Sequence, residues 1–107
     1  MTVSEFATKH SLKVLCLPDD REITGGYAGD LLSWVMGRAM SGDAWITIMS
    51  NQNILAVATL ADVACIILAE GVVLDKDILD TALAKGINVL SSEADTFKLS
   101  AMLSSEL

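Results

Sequence analysis

Covalent chemistry needs a nucleophile with its base, a set of metal ligands, or a cradle for phosphate, and this sequence offers little of each. It has one histidine and two cysteines among 107 residues. His10 falls one helical turn after Phe6, the place of a half-buried packing residue. A Ser-His-Asp or Cys-His triad would have to be built around it, beside a fraying chain end. Cys16 and Cys65 lie far apart, each inside an apolar run, which reads as two reduced structural thiols rather than a metal or redox pair. With so few ligands, no zinc site is expected. The phosphate loop G-x-x-x-x-G-K-[ST] is missing, since no Gly-Lys pair exists, and so is G-x-G-x-x-G. Asp75, Asp77 and Asp80 suit the start of a solvated helix, where negative charge complements the macrodipole. The reading is of a chain without catalytic residues, cofactor or metal.

One segment asks for more. Asp20-Arg21-Glu22-Ile23-Thr24-Gly25-Gly26-Tyr27-Ala28-Gly29-Asp30 lies between a first strand and a second helix. In open parallel sheets such loops meet ligands beyond the carboxyl ends of the strands. Glycines let backbone approach a ligand, and a helix start offers unpaired N–H groups to an anion. Arg21 could clamp a carboxylate or phosphate with its planar fork, and Thr24 could add a hydroxyl. Asp20, Arg21, Thr24, Gly25 and Gly26 are therefore the candidate ligand-binding residues. A plainer account stands beside this one. Arg21 would pair with Asp19, Asp20 or Glu22, the glycines would serve a tight loop, and Asp30 would satisfy the helix start itself.

The elements that must position this segment follow from periodicity. Thr2 and Glu5 form a capping-box pattern before a helix over Val3–His10. Leu12–Leu17 reads as a buried strand closed by Pro18, and Pro18–Gly29 as a loop. Leu31, Leu32, Val35, Met36, Ala39 and Met40 predict a helix within 28–40. Ala44–Met49 is strand-like, Ser50–Asn53 a turn, and Ile54–Ala58 a further strand. Thr59 and Asp62 suggest one capped helical turn before an apolar strand over Ala64–Ala69. Asp75 is placed to cap a helix ending at Lys85-Gly86, Ile87–Leu90 makes a short strand, and Asp95 caps the last helix. Strands and helices alternating with short connectors predict a single three-layer α/β/α domain over residues 1–107, with a mainly parallel sheet.

Composition narrows the partners. Apolar residues make up 52% of the chain even before glycine is counted, against ~45–50% on a scale that includes it. Such a surplus is hard to hide in a small domain, so a homodimer or a docking role is expected. Trp34, Met36, Met40, Trp45 and Met49 are the candidates for that surface. The net charge of −7 repels nucleic acid and anionic lipid. The longest apolar run, Ile54–Ala69, is too short to span a bilayer and carries Asp62. A polar start without an apolar stretch gives no sign of a signal peptide, and the chain is expected to be cytoplasmic.

The glycine-containing segment also resembles a known family. Asp20-Arg21 followed by Thr24-Gly25-Gly26 contains, in order, the residues for which the DRTGG domain is named, with Glu22 and Ile23 between. The likeness continues through Tyr27, Gly29–Ser33, Gly42–Ile48, Ala64–Gly71, Gly86–Leu90 and Asp95–Phe97. It implies a fold like the N-terminal domain of HPr kinase/phosphorylase, without that enzyme's kinase domain. The resemblance also implies a regulatory module, with metabolic or redox enzymes as protein partners. Two functions follow as expectations: sensing of a small anionic metabolite or nucleotide, or homodimerisation and docking without a small ligand.

Overall fold

A computed structural model describes residues 1–107. Its elements run α1 (Val3–Lys9), β1 (Lys13–Cys16), β2 (Gly25–Ala28), α2 (Leu32–Arg38), β3 (Asp43–Thr47), α3 (Asn53–Ala61), β4 (Cys65–Leu68), α4 (Lys76–Ala84), β5 (Val89–Ser91) and α5 (Thr96–Ser104). They form one five-stranded sheet of order β1-β5-β4-β3-β2. β2, β3, β4 and β5 are parallel, and β1 pairs antiparallel with β5. From β2 to β5 every crossover steps one place in the same direction. Right-handed crossovers then put α2, α3 and α4 on a single face. The opposite face is left to α1 and α5.

The side chains follow that division. On β3, Ala44 and Ile46 join Val3 and Phe6 of α1 and Leu99 and Leu103 of α5 in one core. Trp45, between them, points the other way into a core with Val35, Ile54, Val57, Ala58 and Ala82. β4 divides likewise, Cys65 and Ile67 to the first core and Ile66 and Leu68 to the second. All residues of β3 and β4 are buried, as a strand covered on both sides must be. This is the expected α/β/α layering. Burial pushes the Cys65 thiol up to about 12, while Cys16 is half-buried and its Sγ donates to the Ile87 carbonyl. No helix is long and apolar enough to cross a membrane.

Three elements differ from expectation. The first strand, expected to be mostly buried, is the edge strand β1 with Lys13 and Val14 exposed. Residues 54–58 are not a strand but part of α3, whose buried Ile54, Leu55, Val57, Ala58 and Ala61 recur at helical spacing. β3 and β4 are parallel neighbours, so the chain between them must cross over, and a helix is the compact way to do it. Asp62 ends α3 in the left-handed conformation, and Thr59 donates to the Leu55 carbonyl instead of capping a turn. Within the expected loop, Gly25–Ala28 forms β2. Its glycine content hid it, because glycine is depleted in strands, and the ladder with β3 supplies what propensity does not.

The ends of the helices are set locally. Thr2 and Glu5 close the capping box of α1, and the Asp95 side chain accepts from Lys98 N at α5. Asp75 occupies the N-cap of α4, yet its carboxylate makes no cap hydrogen bond; the backbone carbonyl accepts from Ile78 N and Leu79 N. The two terminal helices are tied by Lys9 Nζ to Glu106 at 2.9 Å, and Lys9 holds the Glu106 carboxyl below its usual range. α5 crosses β2 so closely that a Cβ on Gly26 would strike Leu103 Cδ2. Gly26→Ala should cost about 1–3 kcal/mol in urea unfolding. In a Leu103→Ala background the same change should cost clearly less, because the added methyl enters vacated space.

Candidate functional site

Asp20–Gly26 threads along the amino ends of the parallel strands, where the charged side chains of Asp20, Arg21 and Glu22 each have a partner. Asp20 accepts from Ser4 N at 3.0 Å and from Ser4 Oγ, meeting the unpaired first turn of α1. Backbone bonds from Val3 N to Arg21 O and from Ile23 N to Met1 O lay the segment beside the start of the chain. The Arg21 fork grips Asp62, with Nη1–Oδ1 at 3.0 Å and Nη2–Oδ2 at 3.3 Å, and Nη1 also donates to the Val63 carbonyl at 2.9 Å. Arg21 thus reaches across the fold to the end of α3, not to its sequence neighbours. Ser41 Oγ donates to the same carboxylate. The Ser41 hydroxyl first, and Arg21 second, hold the Asp62 carboxyl below its ordinary range.

The glycines have equally close neighbours. Thr24 N donates to the Gly42 carbonyl, and a Cβ on Gly42, whose φ is +87°, would strike Thr24 Oγ1. A Cβ on Gly25 would stand 2.5 Å from Asp43 Oδ1. The five expected site residues therefore come together at one end of the sheet, as a bracket joining α1, β2 and α3. Gly25 and Gly26 do not lead into a helix start, because they open β2, which runs to Ala28 before α2 begins at Leu32. Asp30 does not serve that start either. Its Oδ1 accepts from Thr47 Oγ1 at 2.8 Å and Ile48 N at 2.9 Å, pinning the carboxyl ends of β2 and β3. A cleft of about 190 Å³ beside Arg21 is lined by Asp19, Thr59, Asp62 and Lys85, smaller than the ~300–1,000 Å³ of usual ligand pockets.

Exposed apolar side chains border the β2 edge and α2. Leu31, Trp34, Met36 and Met40 are 60%, 54%, 48% and 70% exposed. The Arg38 guanidinium stacks on Trp34, 3.7 Å from the ring centre. Tyr27, Gly29, Asp30, Leu31 and Trp34 line a groove of about 390 Å³ on the α2 side of β2. A second groove of about 260 Å³ on the α5 side takes in Gly26, Ala28, Leu103 and Leu107. Of the five interface candidates named from sequence, Trp34, Met36 and Met40 are exposed. Trp45 is fully buried with its indole donating to the Gly29 carbonyl at 2.9 Å, and Met49 is half-buried. Tyr27 and Leu31 went unnamed, because Leu31 stands four residues before the buried Val35 and its spacing marks it as core, whereas it is exposed at the N-cap of α2.

The Arg21–Asp62 contact has a measurable signature. A double-mutant cycle with Arg21→Ala and Asp62→Ala should give a small favourable coupling that shrinks as salt is added, as expected of a solvent-screened pair. Because folding lowers the Asp62 pKa, its contribution is present above the ordinary carboxylate value of 3.8 and is lost as pH falls below it. Asp62→Asn should accordingly flatten the acid limb of a stability–pH curve.

Comparison with known proteins agrees with this architecture. No curated protein matches the sequence. A solved structure described as the CBS and DRTGG domains of the regulatory region of Clostridium perfringens pyrophosphatase, complexed with its activator diadenosine tetraphosphate, superposes with a TM-score of 0.76 at 18% identity. The match covers 99% of this chain and 47% of that one, so the chain spans about half the length of that structure. The family model for the DRTGG domain matches residues 30–105 and begins after the Asp20–Gly26 segment. On that match, the chain belongs to the DRTGG domain family.

Proposed function

We propose that this chain is a non-catalytic regulatory module that works by self-association, a second copy docking against the β2 edge and the outer face of α2. The carrying observation is the exposed pair Leu31 and Trp34, which line a groove of about 390 Å³ beside the edge strand β2. Edge strands present unpaired backbone groups, and a two-fold axis lets β2 of one copy meet β2 of the other. The charges support a second copy as the occupant. On a chain of net charge −7, this rim carries one cation, Arg38, and one acid, Asp30. Two copies can approach there without the repulsion that the remaining acidic surface imposes. The related fold sits in the regulatory region of an enzyme complexed with a nucleotide activator, which supports a regulatory rather than catalytic role.

A second reading places a small anionic metabolite or nucleotide on Asp20, Arg21, Thr24, Gly25 and Gly26. It is favoured by one observation, that Arg21 and Lys85 line the same cleft. An anion there would have to displace Asp62 from the Arg21 fork. Light scattering separates the two readings. The first expects a dimer mass at micromolar concentration, reduced to monomer by Trp34→Asp with unchanged circular dichroism; a wild-type monomer at every concentration overturns it. The second expects nucleotide-induced thermal stabilisation that disappears in Arg21→Ala.

A further inference from the structure

At the opposite margin of the sheet, where β4 and β5 end, a hollow of about 390 Å³ is lined by Ser11, Lys13, Gly71–Val73 and Ser91–Glu93. Three turns converge to make it. The α1–β1 turn brings Ser11, and Lys13 opens β1, which runs antiparallel and so begins where β5 finishes. After β4, Glu70 and Gly71 both take positive φ (57° and 72°), and Val72 N returns to the Ala69 carbonyl at 3.1 Å, a type I′ turn. That turn is bolted to the β5–α5 connection by Glu70 N to Ala94 O and Gly71 N to Ser92 O, each 2.9 Å. A left-handed conformation is costly for glutamate. Glycine at 71 is needed twice over, for its φ and because a Cβ would stand 2.5 Å from the Glu93 carboxylate lying across it.

The charges in this hollow are opposite and unused. Neither Lys13 nor Glu93 makes an ion pair or a side-chain hydrogen bond, although both line the same space. Ser11, Ser91 and Ser92, the last of which accepts from Ala94 N, line the same hollow, with Val72 and Val73 as its apolar residues. We infer that this hollow binds a zwitterionic α-amino acid with an aliphatic side chain. Lys13 would take its carboxylate, Glu93 its ammonium group, and Val72 and Val73 its side chain. A phosphate dianion fits worse, because it would face a single cation with Glu93 beside it and Asp95 already occupying the start of α5. No aromatic ring lines the hollow to stack a nucleobase. The place accords with the general rule that ligands of parallel α/β sheets lie beyond the carboxyl strand ends.

Calorimetric and NMR titration of the full chain with L-leucine, L-valine and L-isoleucine tests this. Millimolar or tighter binding should shift the amide resonances of Ser11, Gly71 and Ser92. Lys13→Met and Glu93→Gln should each weaken it about tenfold or more, the loss of one charge-assisted hydrogen bond, with unchanged circular dichroism. 4-Methylpentanoate and isoamylamine, each lacking one charge, should bind at least as poorly. Saturation-free titrations up to 20 mM amino acid, on the order of the weakest specific binding, would overturn the inference. Binding indifferent to both substitutions, or equal binding of 4-methylpentanoate, would overturn it too.

Discussion

A parallel sheet whose strands always advance in one direction has all its crossover helices on one side, and everything else in this molecule answers that constraint. The face left bare by β2–β5 carries Ala44, Ile46, Cys65, Ile67 and Leu90. The hydrophobic effect requires that it be covered. Only the segments outside the crossovers remain for the task, so α1 and α5 close the domain from the two ends of the chain. Phe6, Leu99 and Leu103 supply the apolar contact, and Lys9 with Glu106 fastens the helices to each other at the rim. Gly26 follows from the same demand, since α5 could not lie so close over a β2 with a side chain there.

The bracket at the amino ends belongs to this closure. Asp20 meets the first turn of α1, and Arg21 fastens the same stretch to the end of α3. Two helices on opposite faces are thereby referenced to one loop. Asn88 does comparable work at the neighbouring strands. Its amide donates to the carbonyls of Asp19 and Ala64 and accepts from Asp19 N, so a buried polar side chain is fully used. The amino end of the sheet is thus stitched by side chains, whereas the carboxyl end carries the larger hollows.

Much of this was legible in the sequence. Central strands rich in Ile, Leu, Val and Ala announced a sheet covered on both faces, and Thr2, Glu5 and Asp95 marked helix starts correctly. The failures have physical causes. Ile54–Ala58 is apolar without a visible period, so a buried helix and a buried strand look alike there until the parallel pairing of β3 and β4 is known. β2 is half glycine, and only its partner strand makes it one. The partner of Arg21 lies forty-one residues away on the far side of β3. Local spacing offered Asp19, Asp20 and Glu22 instead, and no property of those residues reveals that the guanidinium bypasses them. The hollow at Lys13 and Glu93 left no pattern either, since it is assembled from three separate turns.

The burial of Cys65 makes its reactivity a gauge of the fold. Fully enclosed in the middle strand β4, with its thiol pushed to about 12, it is close to inert while the sheet is intact. Any alkylating reagent must wait for the layers to part, so the rate of labelling counts large-scale breathing of the fold. Cys16, half-buried on the antiparallel margin, would register smaller fraying events. One chain therefore carries two natural clocks, a slow one at its centre and a faster one at its border.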